Sequence, residues 1–326
     1  MSQSCFAVTF TGREQAELLE TPIDPSPLGA DEIAGHTLYT LISAGTELNG
    51  AYLGEKFPRT PGYAAVFTVE AVGSAVEKVK VGDRRFCMGT HRSYQRVAVK
   101  DSLPVPDAVQ SPWAPFARLM GVTMATLTTT SARPPQLVLV TGLGPVGHLG
   151  AQIFQACGYP VIAVDPDANR QAITRQVGIE RVYSRVPLED PEVVGKVALH
   201  VECSGHEQAA LDGCKVLQKG GELSQVAAPW SRRTEIYAHE ILRLVFFNYL
   251  TVRSGWEWQL PMVNTPFQTN SIWGNFAAAL DWLGAKKVVV GDLYDLVSPR
   301  DAQHVFQDLL HQRTESLAQV FDWTKL

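Results

Sequence analysis

The residues best suited to chemistry form a glycine-rich turn near the middle of the chain. Gly142, Gly144 and Gly147 follow a short apolar run and open a helical pattern. In this order the first glycine permits a tight turn, the second lets a pyrophosphate approach the backbone, and the third lets helix and strand pack closely. The phosphates would then rest at the helix N-terminus, beside Pro145 and Val146. The spacing therefore predicts a dinucleotide-binding turn, and the alternative is a glycine-rich turn in an unrelated α/β protein.

A carboxylate after the next apolar run bears on the choice of cofactor. Asp165 follows the run at 161–164, close to the spacing of about 20 residues at which an acid binds the ribose 2′-hydroxyl. Such a carboxylate would repel the extra phosphate of NADP, so NAD(H) is favoured over NADP(H). Arg170 is near enough in sequence to pair with a 2′-phosphate. Its alternative interpretation, which we prefer, is a solvated helix residue.

The elements around this turn alternate between strand and helix, as a doubly wound parallel sheet requires. Residues 1–110 are β-rich instead, with short apolar runs broken by Gly, Pro and Asp. The predicted fold class is therefore α/β, with a second, β-rich domain. The elements predicted after Asp165 are helices at 168–177, 208–217, 241–247, 276–283 and 301–310 and strands at 181–183, 198–202, 221–226, 250–253 and 318–321, with the helix at 276–283 beginning the return to the first domain.

The length and composition of the chain limit the classes of protein to which it could belong. A chain of 326 residues exceeds the usual size of one domain, and 45% hydrophobic residues can fill a sizeable core. The net charge of −5 and the lack of a lysine- or arginine-rich run argue against nucleic-acid binding. Without a recognisable signal peptide or a long apolar run, the sequence predicts a soluble cytoplasmic protein with no membrane partner. The five cysteines form no Cys-x-x-Cys pair and are predicted to be reduced thiols.

Several segments together resemble the medium-chain dehydrogenase/reductase superfamily, the relatives of zinc-type alcohol dehydrogenases. Beside the glycine turn they are Val72-Gly-Ser-Ala-Val76, Val81-Gly-Asp-Arg84, Val201-Glu-Cys-Ser-Gly205, Lys219-Gly-Gly221 and Val297-Ser-Pro-Arg-Asp-Ala302. The resemblance implies a GroES-like catalytic domain at 1–115 and 276–326 and a Rossmann domain at 116–275. It also implies a cleft for nicotinamide and substrate, a homodimer, and a place for Ser204 among the cofactor-binding residues.

The departures from this family concern its catalytic zinc. Where zinc-containing relatives have Cys-Gly-Thr-Asp and Gly-His-Glu segments, this chain has Ala44-Gly-Thr46-Glu47 and Gly62-Tyr63-Ala64. No third ligand occurs around Leu119-Met120-Gly121. Zinc requires about three Cys, His or carboxylate donors, so we predict that none is bound. Ser43-Ala-Gly-Thr-Glu47 and Pro61-Gly-Tyr63 are similar to a smaller branch that includes bacteriochlorophyllide dehydrogenases.

Without zinc, a hydroxyl group must manage the proton on the substrate oxygen. The resemblance places Thr46 at the family's proton-relay position, although a loop-capping role is the alternative. Tyr63 could donate to the same oxygen or could fill the vacated metal site. Glu47 could orient Thr46 or form a structural ion pair. His91 could act as an acid or base, although a solvent-facing loop histidine is commoner.

These features predict a zinc-independent, NAD(H)-dependent oxidoreductase that interconverts a secondary alcohol and a ketone, or reduces a related C=O or C=N group. One alternative is an NADPH-dependent quinone or enone reductase, and another is a non-catalytic redox sensor. An aromatic segment would suit a bulky planar or hydrophobic small-molecule substrate, with ordinary packing as the alternative. Its residues are Trp256, Trp258, Phe267 and Trp273.

Overall fold

The computed structural model describes residues 4–326, and the chain divides into two compact units. Unit 1 comprises the described residues up to Arg118 together with Val290–Leu326, and unit 2 comprises Leu119–Val289. No helix of the described part of the chain is both long enough and apolar enough to cross a membrane.

The strands, numbered in chain order over residues 4–326, are β1 (Ser4–Gly12), β2 (Gln15–Pro22), β3 (Glu32–Leu41), β4 (Ala65–Thr68), β5 (Ala71–Val72), β6 (Arg84–Cys87), β7 (Tyr94–Ala98), β8 (Ser102–Pro104), β9 (Leu137–Thr141), β10 (Val161–Val164), β11 (Arg181–Tyr183), β12 (Val197–Glu202), β13 (Leu217–Gln225), β14 (Thr251–Ser254), β15 (Tyr294–Val297) and β16 (Ala318–Asp322). The α-helices of the same residues are α1 (Ala44–Glu47), α2 (Ala117–Thr129), α3 (Pro145–Ala156), α4 (Ala168–Gln176), α5 (Glu207–Val216), α6 (Ala238–Asn248), α7 (Ile272–Gly284) and α8 (Ala302–Leu310).

Unit 2 is built on one parallel sheet of six strands in the order β11-β10-β9-β12-β13-β14. The central strand β9 is almost wholly buried, with Val138, Leu139 and Val140 shielded from solvent. A strand covered on both faces requires such a continuous apolar run. A helix lies between each pair of successive strands from β9 to β14 except β11 and β12, so the predicted doubly wound Rossmann sheet is confirmed.

Unit 1 is organised around β3, its longest strand. β3 pairs with β4, β5, β7 and β16, and the larger sheet runs in the order β15-β16-β3-β4-β6-β8. Gly35 in β3 is required by close packing, because a Cβ atom there would lie 1.8 Å from the carbonyl oxygen of Thr68. Since β16 belongs to the C-terminal segment, both ends of the chain build this β-rich unit, and the predicted GroES-like fold is confirmed.

The divisions between the units fall later in the chain than the predicted boundaries at 115/116 and 275/276. The first division falls after Arg118, and the second falls after Val289. Helix α7 was expected to begin the return to the first domain, but it belongs to unit 2. Its Phe276 packs so closely on α2 that a Cβ atom on Gly121 would lie 2.4 Å from the ring.

Candidate active site

The glycine turn between β9 and α3 has the geometry of a phosphate cradle. Gly142 has a φ of 81°, and a Cβ atom there would lie 2.5 Å from the backbone nitrogen of Ser204. A Cβ atom on Gly147 would lie 1.8 Å from the carbonyl oxygen of Gly142. At Gly144, by contrast, no heavy atom lies within 4 Å of the place a Cβ would take. The open position is therefore the one at which a pyrophosphate could approach the backbone.

The N-terminus of α3 continues this cradle. Gly144 is the N-cap, and Pro145 occupies the first turn, where its missing N–H costs no intrahelical hydrogen bond. Pro145 and Val146 are both partly exposed, so the first turn of the helix is accessible. These residues fit a dinucleotide, because helix N-terminal N–H groups and the helix dipole favour a phosphate group here.

Asp165 lies directly after β10, as predicted, but its carboxylate also holds the turn itself. One oxygen, Oδ2, accepts a hydrogen bond of 2.7 Å from the backbone N–H of Leu143, and Oδ1 accepts one of 2.9 Å from that of Asp167. The side chain is only 3% exposed. Each carboxylate oxygen has two lone pairs, so acceptor capacity remains for a ribose hydroxyl. Asp165 thus couples the shape of the turn to the ribose position.

Arg170 lies beside this carboxylate. Its Nη1 is 3.4 Å from Oδ2 of Asp165, while its side chain is 42% exposed. Asp167 caps α4 by accepting from the backbone N–H groups of Asn169 and Arg170, which fixes the first turn that carries the arginine. The preferred interpretation of Arg170 as a simply solvated residue is therefore incomplete, because the structure pairs it with Asp165.

Ser204 is turned toward the protein by a buried carboxylate that sequence reasoning missed. Both its backbone N–H and its hydroxyl donate to Glu202, which also accepts from the backbone N–H of Gly205 and from Gln225 Nε2. Glu202 is fully buried at the end of β12. It fixes the loop on which Gly142 packs. The signal available in the sequence was a glutamate at the end of an otherwise apolar strand.

The catalytic candidates of unit 1 lie on α1 and on the segment before β4. Tyr63 donates a hydrogen bond of 3.4 Å from its hydroxyl to Oγ1 of Thr46. Thr46 is exposed and Tyr63 is partly exposed. The structure therefore brings together the two hydroxyl groups that the resemblance predicted, at a place that a small molecule can reach.

Arg118 is a third member of this cluster and was not predicted. Its guanidinium carbon lies 4.5 Å from the centroid of the Tyr63 ring, and the residue is only 4% exposed. Burial raises the pKa of the Tyr63 phenol, and the charge of Arg118 offsets part of that rise. The phenol therefore keeps its proton at neutral pH and can act as a hydrogen-bond donor.

Glu47 and His91 form a buried pair behind this cluster. Nε2 of His91 is 2.9 Å from Oε2 of Glu47, and Oε1 accepts from the backbone N–H of Ser43. On the other side of the ring, Nδ1 is 2.7 Å from Oγ1 of Thr40, which accepts from Nε1 of Trp323. Since Trp323 donates, the Thr40 hydroxyl can donate to Nδ1. The Nε2–H tautomer, which donates to Glu47, satisfies all of these groups.

His91 is therefore not a solvent-facing loop histidine, because its ring is completely buried and both nitrogens have protein partners. The reason lies in the neighbouring turn. Gly62 has a φ of 99°, and a Cβ atom there would lie 2.7 Å from the backbone nitrogen of His91. The backbone at Pro61 and Gly62 therefore packs directly against His91. Because both nitrogens have partners inside the protein, this geometry fits positioning of α1 through Glu47 better than the predicted acid or base role.

Comparison with known proteins finds relatives of this chain in sequence and in fold. A sequence family described as zinc-binding dehydrogenase matches residues 145–259. An alcohol dehydrogenase from Geobacillus stearothermophilus is 27% identical over 212 residues, which cover 53% of this chain and 62% of that relative. The chain thus spans less than two thirds of the length of this curated relative.

Two solved structures share the whole fold. Galactitol-1-phosphate dehydrogenase from Escherichia coli superposes with a TM-score of 0.81 at 16% identity, covering 97% of this chain and 99% of that one. Acetophenone reductase from Geotrichum candidum, solved in complex with NAD, has a TM-score of 0.78 at 15% identity, with coverage of 100% and 99%. The chain is thus similar in sequence, over residues 145–259, and in fold, over nearly its whole length, to dehydrogenases and reductases of the medium-chain superfamily. The named relatives are dehydrogenases and reductases.

The zinc site of this superfamily is not matched by donors here. The resemblance places Ala44 and Tyr63, which are not zinc donors, at two of the usual ligand positions, and Glu47 and His91 are hydrogen-bonded to each other. Burial raises the pKa of the nearby Cys87 thiol to about 12, so its thiolate form is scarce. Over residues 4–326, no group of three or more His, Cys, Asp or Glu side chains could hold a metal. These residues do not fit a catalytic zinc ion.

The predicted aromatic segment of this chain divides into an exposed part and a buried part. Trp256, Trp258 and Phe267 are exposed, whereas Trp273 is buried on α7, where its ring meets Phe276 edge to face. Trp273 therefore belongs to the packing of unit 2. The other three aromatic side chains remain accessible on its surface.

Proposed function

We propose that this chain is a zinc-independent, NAD(H)-preferring oxidoreductase that interconverts a secondary alcohol and a ketone, or reduces a related C=O or C=N group. The observation that carries this proposal is the hydrogen-bonded pair of Tyr63 and Thr46, because it supplies a proton donor where relatives use zinc. A bound nicotinamide would supply the hydride. Unit 2 would hold the cofactor through its glycine turn, and unit 1 would supply the proton.

The preference for NAD(H) rests on Asp165. Its carboxylate follows β10, the place from which an acid accepts a hydrogen bond from the ribose diol, and its negative charge opposes a 2′-phosphate. Arg170, 3.4 Å away, weakens this opposition, since it could bind a phosphate in the same place. The proposal is therefore a preference for NAD(H), with some NADP(H) binding permitted.

We further propose that the chain belongs to the zinc-lacking branch similar to bacteriochlorophyllide dehydrogenases. The support is the pair of segments Ser43-Ala-Gly-Thr-Glu47 and Pro61-Gly-Tyr63, which carry the two hydroxyl groups of the cluster. The substrate would be a small molecule, and the exposed side chains of Trp256, Trp258 and Phe267 would suit a bulky planar or hydrophobic one. The cytoplasmic location and the absence of nucleic-acid and membrane partners stay predictions from composition.

A homodimer formed through unit 2 is part of the same proposal. Strand β14 ends the six-stranded sheet, so one of its edges has no partner strand among the described residues. Val252 on this strand and Tyr249 and Phe246 just before it are exposed apolar side chains. A second copy meeting the same edge would pair the free backbone groups and cover these side chains. Sedimentation of the protein as a monomer at micromolar concentration would contradict this.

The first test is a titration with NADH and NADPH, followed by nicotinamide fluorescence, on protein whose zinc content is known from elemental analysis. We expect tighter binding of NADH and no stoichiometric zinc. A screen of carbonyl compounds would follow. Stoichiometric zinc would contradict the metal-free chemistry, and a clear NADPH preference would favour the quinone or enone reductase. Cofactor binding without turnover of any carbonyl would favour a redox sensor.

The second test removes the two hydroxyl groups one at a time. We expect Tyr63→Phe to lower turnover about a hundredfold, the lower range for loss of a general acid, and Thr46→Val to lower it less. NADH affinity should not change. If neither substitution alters turnover by more than about twofold, neither hydroxyl handles the proton.

A further inference from the structure

The cluster of unit 1 contains a buried, positively charged side chain. Arg118 places its guanidinium 4.5 Å from the centroid of the Tyr63 ring and is almost completely buried. A guanidinium over an aromatic face is attracted by the negative face of the ring, and this attraction strengthens when water is excluded. Arginine also keeps its charge at every relevant pH. The cation therefore belongs to the permanent architecture of this cluster.

The cluster is ordered from the interior outward. The buried cation contacts one face of the Tyr63 ring, the ring carries its hydroxyl toward Thr46, and Thr46 is exposed. Charge in the interior can thus act on the phenol oxygen while that oxygen stays within reach of a small molecule. A low-dielectric surrounding makes such an interaction stronger than it would be in water.

We propose that Arg118 is a positioning residue that acts through Tyr63: it holds the ring against α1 and stabilises the negative charge left on the phenol oxygen when that group gives its proton to a substrate carbonyl. This inference rests on the proposed function. It assigns to an arginine side chain part of the electrostatic task that zinc performs in relatives.

The charges around the phenol agree with this role. Burial raises the pKa of Tyr63, and the negative charge of Glu47 acts in the same direction. Arg118 lowers this pKa, as do hydrogen bonds with the hydroxyl groups of Ser43 and Thr46. Arg118 is the cation of this set. Without it, burial and Glu47 would make the phenol a weaker acid.

The step balances without a metal. In the reducing direction, a bound reduced nicotinamide would supply a hydride, with its two electrons, to the carbonyl carbon, and the C=O π pair would move to oxygen. That oxygen forms a bond to the proton of Tyr63, whose O–H pair stays on the phenolate. Thr46 gives its proton to the phenolate and takes one from water, so the overall reaction consumes one solvent proton. Arg118 keeps all of its protons throughout.

The test compares Arg118→Met and Arg118→Lys with Arg96→Met, which removes a guanidinium from an ion pair with Glu32 elsewhere in unit 1. The substrate is the carbonyl compound that the wild-type protein reduces fastest. We expect Arg118→Met to lower kcat about tenfold or more, with KM changed less and NADH affinity unchanged. Arg118→Lys should keep part of the activity, and Arg96→Met should behave as wild type.

Two readouts separate this role from simple support of the fold. Loss of the cation should move the alkaline limb of the kcat profile up by about one pH unit, whereas Arg118→Lys should leave the limb near its wild-type position. Added guanidinium chloride at millimolar concentration should restore part of the activity of Arg118→Met, and sodium chloride at the same ionic strength should not. Unchanged kcat, or a loss of kcat with neither effect, would overturn the inference.

The failure of this inference can be told from failure of the proposed function. If the wild-type protein binds NADH but reduces no carbonyl compound, the proposed function fails and the inference fails with it. If turnover is found and Arg118→Met retains it, only the role of Arg118 is wrong. Should Arg118→Met not fold, the position of the alkaline limb in Arg118→Lys, compared with that of Arg96→Met, decides the matter. A large downward displacement of that limb, or its loss, would contradict a charge-based role.

Discussion

The cofactor turn of unit 2 depends on backbone geometry, whereas the hydroxyl cluster of unit 1 depends on the chemistry of its side chains. The turn is made of backbone, and Gly142 and Gly147 are glycines because a Cβ atom there would strike Ser204 or the carbonyl of Gly142. The cluster is made of side chains, with the guanidinium of Arg118 lying over the ring of Tyr63. Backbone geometry permits few substitutions, whereas one electrostatic task can be met by several side chains. The turn therefore keeps its family pattern while the cluster does not.

The largest effect should come from the turn. We expect Gly147→Ala to lower the free energy of unfolding by about 1–3 kcal/mol and to abolish measurable NADH binding, because its Cβ would lie 1.8 Å from the carbonyl oxygen of Gly142. Gly144→Ala is the matched control, since a Cβ there has no neighbour within 4 Å. It should leave the melting temperature unchanged and weaken NADH about tenfold. If Gly144→Ala binds NADH with wild-type affinity, the pyrophosphate does not approach the backbone at Gly144.

The next effect tests the side-chain cluster. His91→Ala would remove a hydrogen bond from the buried carboxylate of Glu47, and we expect a loss of about 1.5–3 kcal/mol in the stability of unit 1. Hydrogen exchange of β3 and β16 would measure it. His36→Ala is the control, because its pair with Glu70 is exposed and should contribute little. Equal effects of the two substitutions on stability would show that burial does not strengthen the interaction between His91 and Glu47.

Much of the fold could be predicted from the sequence, because periodic apolar runs and punctuating glycines report on local structure. The strand and helix around Gly142 and the alternation after Asp165 follow from such patterns. The burial of His91 could not be predicted, since it depends on a turn at Gly62 that comes from a distant part of the sequence. Arg118 was missed for the same reason. Its position at the start of α2 gives no sign that Tyr63 lies beside it.

The stability of unit 2 should also depend on pH, because of two buried histidines. Burial lowers the pKa of His200 to about 3 and that of His148 to about 4, both in unit 2. Unfolded histidine titrates near about 6.5, so below that pH the unfolded chain binds more protons. Unit 2 should therefore keep its full stability above pH ~6.5 and lose about 2 kcal/mol per buried histidine by pH ~5.

Urea unfolding at these two pH values, followed by hydrogen exchange of β9 and β12, would measure this loss. His200→Asn should reduce the dependence on pH, whereas substitution of the exposed His239 by Asn should not. A loss of the same size in both variants would mean that other groups control the acid sensitivity of unit 2.

The smallest expected effect concerns the one place where the turn of unit 2 depends on side-chain charge. Asp165→Asn is a poor probe of cofactor choice, because Asp165 also accepts the Leu143 N–H that shapes the turn. Arg170→Ala leaves that bond in place. We expect it to weaken NADPH about twofold to fivefold and to leave NADH nearly unchanged, since an exposed charge contributes about 1 kcal/mol or less. Arg175→Ala, on the same helix, should change neither affinity. An equal change for both cofactors in Arg170→Ala would return Arg170 to a solvated role and leave Asp165 alone to select NAD(H).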